Sequence, residues 1–384
     1  MRKCSFKIQS LGWVRFLSLG FVWVCLCNAF LSGCATPKLK TEPKQAMTEV
    51  FTDFMIPSAT TIAWRAFPGD EAITTGDGSV TLVCVGDLMF GRHIEEVRKK
   101  VDIPDPFVGM RTVLLSGDMA TGNLECVLGT PQSVASWKSR DKILLASPKE
   151  SARELKDAGF RLLSLGNNHS LDYREEGLFS TMSILKNEGL GWVGIWEGGS
   201  QPTEPWVAEI RGVRVAFLAF SDVSPPIFRA RGPGHPGTIP PLPELIRRDI
   251  AYARTKADFV VVQAHWGIEY QGEPNDRQKS LAHQMIDAGA DAVVGHHPHV
   301  LQGTERYKGK FIIYSLGNFL FDLKRPVSHP GLVLRLRLEK GKKPAADYIP
   351  SWGGDMFPRY PSRVEEEAFP AWLRVVPWAA GRAE

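Results

Sequence analysis

Four apolar segments of this chain run directly into polar residues of the kind that bind metal ions, and no other feature restricts the fold as much. Thr81–Val85 stops at Gly86-Asp87. Phe160–Leu165 stops at Gly166-Asn167-Asn168-His169. Phe259–Gln263 leads into His265-Trp266-Gly267, and Ala292–Gly295 leads into His296-His297-Pro298-His299. Short apolar runs bounded by glycine read as strands buried on both faces, the kind found in parallel sheets. Between them lie helix signals: 94–100, a segment opened by Ser147-Pro148 with Ser147 as cap and stopped at Gly159, then 175–187, 242–256 and 277–288. A hairpin is expected over 207–210 and 213–220, split by Arg211-Gly212, and further strands over 310–314 and 332–339. This alternation is an α/β pattern, and such folds place their sites in the loops beyond strand C-termini.

The strand ends hold five of the nine histidines: His169, His265, His296, His297 and His299. A lone histidine is ordinarily a satisfied structural side chain; five at strand ends read as one shared polar site. In an extended segment residues i and i+2 point the same way, so His297 and His299 are expected to converge while His296 faces away. Imidazoles suit Zn, Mn, Fe, Co or Ni, and the carboxylates Asp87 and Glu125 add oxygens able to bridge two ions. Arg92 and His93, just past Asp87, either hold an anionic substrate or form the solvated turn that opens a helix. Asp172 is read as the N-cap of helix 175–187 in preference to a partner for His169. Trp266 is read as packing.

The leader is separate from this. Arg2, Lys3, Lys7 and Arg15 precede an uncharged run from Phe16 to Phe30, about the length of a signal-peptide core and shorter than a membrane span. Leu31-Ser32-Gly33-Cys34 follows, the pattern of a lipoprotein whose Cys34 carries the lipid. The expectation is an extracytoplasmic protein anchored to a bacterial cell membrane. The net charge of +4 belongs to this leader: without residues 1–33 the chain keeps 42 basic residues against 42 acidic ones. That balance argues against nucleic acid as a partner. Of six cysteines only Cys84 and Cys126 remain in the folded part. Cys84 reads as a small buried hydrophobe, and a bridge between the two is left open. The expected organisation is a signal peptide over 1–33, a tether over 34–79, a single α/β domain over 80–340 and a Pro/Trp-rich extension over 341–384.

Six motifs in order carry a resemblance: Gly86-Asp87-Leu88-Met89, Gly122-Asn123-Leu124-Glu125, Asn167 to Tyr173, His265 to Tyr270, Gly295 to Gln302, and Tyr314 to Phe319. Together they resemble the CapA family of poly-γ-glutamate capsule biosynthesis proteins, a branch of the calcineurin-like metallophosphatases. The resemblance implies a four-layer α/β/β/α sandwich with a metal site at one rim, holding Mn, Fe or Zn. It implies Asn168, His265 and His297 as ligands of one ion, with Asp87 and His299 at a second position. There Met89 stands where the family pattern has a histidine, and Asn123 stands where it has a bridging Asp, with Glu125 two residues on. One ion, or a weakened second one, is therefore expected. His169 corresponds to the phosphate-facing acid, and Arg92 and His93 are grouped with it as candidate catalytic residues. Asn123, Glu269, Tyr270 and Asn318 are assigned to substrate contacts. The functional expectation is capsule or poly-γ-glutamate-type polymer biosynthesis beside a polymer synthase or an anionic polymer. Two rivals are a phosphoesterase for a nucleotide or envelope phosphate and a non-catalytic polymer-binding scaffold.

Overall fold

A computed structural model of the chain describes residues 62, 64–67, 78–101, 103–129, 144–196, 198–228, 232, 235–322, 326–354 and 356–373. The expected leader, Cys34 and most of the tether lie outside these residues. Among the described residues no helix is long and apolar enough to cross a membrane.

In chain order the elements are β1 (Arg65–Ala66), β2 (Ser79–Leu88), α1 (His93–Val101), α2 (Arg111–Leu114), β3 (Met119–Leu124), β4 (Val127–Leu128), β5 (Ala146–Ser147), α3 (Ser151–Asp157), β6 (Phe160–Ser164) and α4 (Arg174–Asn187). They continue with β7 (Gly191–Val193), β8 (Ile195–Trp196), β9 (Trp206–Ile210), β10 (Val213–Ser221), β11 (Gly237–Thr238), α5 (Pro243–Lys256), β12 (Phe259–His265) and α6 (Asp276–Asp287). The last are β13 (Ala292–His296), β14 (Leu301–Tyr307), β15 (Lys310–Leu316), β16 (Asn318–Leu320), β17 (Pro330–Glu339) and β18 (Ala345–Trp352).

Two sheets carry the fold. The first runs β1-β18-β17-β2-β3-β6-β7, with β16 also paired to β2; the second runs β14-β15-β13-β12-β10-β9. Strands β2, β3, β6 and β7 are mutually parallel, as are β10, β12, β13 and β15. Antiparallel β9 and β14 close the edges of the second sheet.

Side-chain alternation then divides the apolar residues into three layers. Val80, Leu82 and Cys84 of β2 pack with Val215 and Phe217 of β10, Val261 of β12, and Ala292 and Val294 of β13 between the sheets. Their neighbours Val83 and Val85 face the opposite way, toward Ile94 of α1, Leu155 of α3 and Leu178 of α4. Val260 and Val262 meet Ile246 and Ile250 of α5 and Leu281 and Met285 of α6. The order of layers is therefore helices, sheet, sheet, helices, the expected α/β/β/α sandwich. Because strands such as β12 bury both faces, their sequences read as unbroken apolar runs rather than alternation.

Two points differ from the sequence-based reading. The first sheet continues past residue 340: β18 pairs antiparallel with β17 over its whole length, and β1 pairs with β18. Pro350 disguises this strand, yet the pairing of β1 stops at Tyr348, so Pro350 lies beyond that partner, where a strand tolerates a missing N–H. Ser147 is not a helix cap. It lies in β5, and its Oγ accepts a 3.0 Å bond from the Phe90 amide, while α3 starts at Ser151. Cys84 and Cys126 are both free, buried thiols, and burial pushes each up to about 12.

Candidate metal centre

All the clustered residues come from the C-terminal ends of parallel strands. From the first sheet come Asp87 of β2, Asn123 of β3 with Glu125 just after it, and the Asn167–His169 turn after β6. From the second come His265, the last residue of β12, His296, the last of β13, and His297 and His299 beyond it. Two glycines let these ends pack so closely. A Cβ on Gly86 would fall 1.9 Å from the Gly317 carbonyl oxygen, and one on Gly295 would fall 2.0 Å from that of Tyr314. Any other residue at either place would push β16 or β15 away.

Asn123 is the hub of the first-sheet half. Its Nδ2 donates to Asp87 Oδ1 at 2.8 Å and to Glu125 Oε2 at 3.3 Å, and lies 3.2 Å from His265 Nδ1. Its Oδ1 accepts from Asn167 Nδ2 at 3.1 Å, and Asn167 in turn receives the His169 amide and the Ser170 hydroxyl, each at 3.0 Å. One step deeper, Gln263 Nε2 of β12 donates to Thr121 Oγ1 of β3 at 2.8 Å, joining the sheets two residues before His265 and Asn123.

Glu125 lies at the centre and is fully buried. Its Oε1 makes no hydrogen bond among the described residues, yet stands 3.8 Å from His265 Nε2, 3.8 Å from His299 Nε2 and 3.9 Å from His169 Nε2. Donor atoms of Glu125, His265 and His297 lie within 4.8 Å of one another, and so do those of Asp87, Glu125 and His299. Glu125 is thus common to two candidate ligand sets. A third set, Glu269, His297 and His299, reaches the exposed edge. Asn168 Oδ1 is 2.7 Å from His265 Nε2 and completes the first set.

These groups fit a divalent transition ion. Buried polar atoms are normally paired, but here Glu125 Oε1, His297 Nδ1 and both nitrogens of His296 make no hydrogen bond among the described residues. Burial, reinforced by the nearby Asp87, holds Glu125 well above the usual carboxylate range. Burial opposes charge on His299 as well, but Glu125 and Asp87 outweigh it and lift His299 to about 9. Burial and the neighbouring His299 push His297 down to about 3, and burial with His297 pushes His265 well down. Burial would raise Asp87, yet contacts with His296 and His299 keep it well below its ordinary value. Two buried carboxylates and three imidazoles, once free of protons, offer mixed oxygen and nitrogen donors to a borderline cation.

His296 differs from expectation. It does not face away: its Nδ1 stands 3.5 Å from Asp87 Oδ1. His297 and His299 have φ of 95° and 56°, so the segment after β13 is not extended and alternation cannot be counted along it. Counted from the body of β13, alternation continues the inward face Ala292, Val294 to His296, and that signal was available in the sequence.

Asp172 is likewise no cap. Its Oδ2 accepts the Leu145 amide at 2.7 Å and contacts His169 Nδ1 at 2.8 Å; Tyr173 precedes α4 without a side-chain cap. His169 is thereby held with Nε2 toward Glu125. Asn318 Oδ1 lies 2.9 Å from His299 Nδ1, so it orients that ring rather than standing apart. Tyr270 packs its ring 6.2 Å from that of His299, and Glu269 is exposed beside it. Met89 turns into the outer apolar layer, and its sulfur accepts the Gly91 amide at 3.0 Å. His93 opens α1 and contacts Glu96 of the same helix at 3.2 Å, matching the solvated-turn alternative. Arg92 instead pairs with Asp322, Nε to Oδ2 3.1 Å, and Asp322 was not singled out in the sequence. Trp266 packs against α6 and donates to the Tyr314 carbonyl at 2.9 Å.

Residues 81–323 match the family described as bacterial capsule synthesis protein PGA_cap. The chain belongs to that family. It is 40% identical over 251 residues to the PGA biosynthesis protein CapA of Bacillus subtilis, covering 65% of each chain. It is 37% identical over 249 residues to the capsule biosynthesis protein CapA of Bacillus anthracis, covering 63% of this chain and 60% of that one. The chain thus spans under two thirds of the length of these curated relatives. Among solved structures it is similar to a putative 5'-nucleotidase from Staphylococcus aureus, with 13% identity, a TM-score of 0.44 and coverage of 76% and 57%.

Proposed function

We propose that this protein acts outside the cytoplasm, anchored through a lipid on Cys34, in building a capsule or poly-γ-glutamate-type polymer, and that a divalent transition ion such as Mn, Fe or Zn works at the Glu125 cluster. The relatives' names support the polymer; the order of charged, small and cysteine residues in the leader supports the anchor. The observation that carries the metal reading is Glu125 Oε1, a buried carboxylate oxygen without a hydrogen bond, set among three imidazoles.

Glu125, His265 and His297, with Asn168, would hold one ion; Asp87, Glu125 and His299, with His296 beside them, would hold a second. Glu125, common to both sets, would serve each of them, whereas Asn123 turns its amide donor, not a free oxygen, toward both carboxylates. A bound ion supplies Lewis acidity and lowers the pKa of a coordinated water. The chain supplies the rest. Asp172 orients His169 so that Nε2 faces the centre, where it can give a proton to a departing group. Asn318 fixes the ring of His299, and Glu269 and Tyr270 border the approach. The bond such a site cleaves is an amide or a phosphoester, and the family name favours the polymer-linked one.

The test is metal analysis of the full chain, alone and after titration with Mn, Fe or Zn. Up to two ions per chain are expected, with Glu125→Gln lowering both affinities. A wild-type chain that takes up no transition ion overturns the metal reading and leaves a polymer-binding scaffold. Fractionation of wild type against Cys34→Ala tests the anchor, and an unchanged membrane fraction with no lipid by mass spectrometry refutes it.

A further inference from the structure

Strands β2 and β16 leave their shared pairing together, with Asn318 opposite Asp87 and Leu320 opposite Leu88. The chain just beyond each carries one charge: Arg92 after β2, Asp322 after β16. Their contact at 3.1 Å uses Arg92 Nε, and the Arg92 side chain makes no other ion pair or hydrogen bond among the described residues. Asp322 is buried, with no exposed side-chain surface, and neither oxygen makes a hydrogen bond of good geometry there. The adjoining Phe321 packs its ring 4.9 Å from that of His299, so the pair borders the cluster.

Two features here are costly for folding alone. A buried carboxylate is tolerated only when paired, and Arg92 has φ of 55°, a left-handed backbone that a long side chain seldom adopts. Unfavourable local choices of this kind collect where a side chain must be presented in one direction. The guanidinium is held from one side, through Nε, while about a third of its side chain remains exposed. A guanidinium so placed offers its two terminal nitrogens as a fork to an oxyanion. Of the carboxylates in the cluster only Glu269 is exposed, while Asp87 and Glu125 are buried.

We propose that Arg92, aimed by Asp322 as its positioning residue, is the arm that grips a free carboxylate of an acidic polymer beside the metal centre. This rests on the reading above and names the substrate chemistry: a chain of linked acidic residues, with one carboxylate on Arg92 while a neighbouring linkage lies at the cluster.

The experiment measures binding of a γ-linked glutamate pentapeptide to the metal-loaded full chain by calorimetry, at low and high salt, with inorganic phosphate as a second probe. Arg92→Gln should weaken pentapeptide binding by about tenfold or more and flatten its salt dependence. Arg92→Lys should recover the salt dependence but only part of the affinity, because the charge returns without the fork. Asp322→Asn should weaken binding as Arg92→Gln does while leaving the charge in place. Melting temperature and metal content are read on the same samples. Wild-type affinity in folded, metal-loaded Arg92→Gln overturns the proposal, and so does Arg92-dependent binding of phosphate with none of the pentapeptide. Full metal without pentapeptide binding sinks the arm and spares the metal reading. Pentapeptide binding that needs Arg92 in a chain that takes up no metal does the reverse.

Discussion

The two sheets contribute unlike halves to one site. The first-sheet half is oxygen-rich and already tied together: Asn123 bonds Asp87, Glu125 and Asn167, and Asn167 secures the His169 turn. The second-sheet half is nitrogen-rich and loosely bonded. Among the described residues neither ring nitrogen of His296 makes a hydrogen bond, His297 lacks one at Nδ1, and His297 and His299 stand on left-handed backbone. One half holds its geometry without a ligand, with Glu125 Oε1 its one unbonded donor atom among the described site residues, and the other leaves three imidazole nitrogens unbonded. Preorganisation and capacity are therefore divided between sheets, and their packing brings the two together.

The largest effect should come from the atom both halves share. Glu125→Gln keeps the shape but removes the charge, and is expected to cut transition-ion affinity by about a hundredfold or more, read by competition with a chelating dye. If affinity is unchanged, the halves do not meet at Glu125. Next, Asn123→Ala should cost the metal-free chain about 2–3 kcal/mol in denaturant unfolding, because two buried carboxylates and Asn167 lose their partner. A loss as large from His297→Ala would erase the contrast between a bonded half and an unbonded one. His296→Ala should reduce ion affinity by about tenfold, comparable to a lost supporting ligand. If it changes metal content no more than a surface substitution does, the inward register of β13 has no role in binding. Asp172→Asn should slow turnover by about tenfold with metal content unchanged, since it only orients His169; a drop in metal would move Asp172 into the ligand shell.

The smallest effect lies outside both halves and serves as a control. Burial would raise the Glu365 pKa, but hydrogen bonds from Arg359 lower it from 4.5 to about 2. The sign follows: this pair contributes fully above the unfolded value and loses its contribution as pH falls through the folded one. Being partly exposed, it is worth about 1 kcal/mol or less. The stability difference between wild type and Glu365→Gln should be present at neutral pH and vanish near the folded pKa. A difference that persists there would mean packing, not charge, is being measured.

Much of this was legible in the residues. Apolar runs ending in Asp87, Asn168 and His265 located both the strands and the rim, because strands buried on both faces leave an unmistakable pattern. What escaped depended on backbone or on distant partners. A positive φ at His297 is invisible in a sequence of L-residues, so counting back from His297 misassigned the face of His296, whereas counting forward from Ala292 and Val294 gives it. Ser147 and Asp172 look like caps, yet each bonds a backbone amide remote in sequence, at Phe90 and Leu145. Asp322 sits in no motif; only the pairing of β16 with β2 brings it to Arg92.

The bond from Gln263 to Thr121 has a mechanical meaning. Apolar layers resist separation, but the hydrophobic effect that holds them is non-directional and does not by itself set their register. A buried directional bond between β12 and β3 opposes slip between them, beside the contacts of His265 with Asn123 and Asn168, and a slip of one residue would shift Asn123 against His265 by about 3.3 Å. The spacing of the donor atoms is therefore governed by a shear coordinate of the whole sandwich. Gln263→Leu would preserve the layers and their thickness while loosening that coordinate. Such a chain would stay folded yet lose its definite bite on an ion, so that fitness for chemistry and resistance to unfolding would part company.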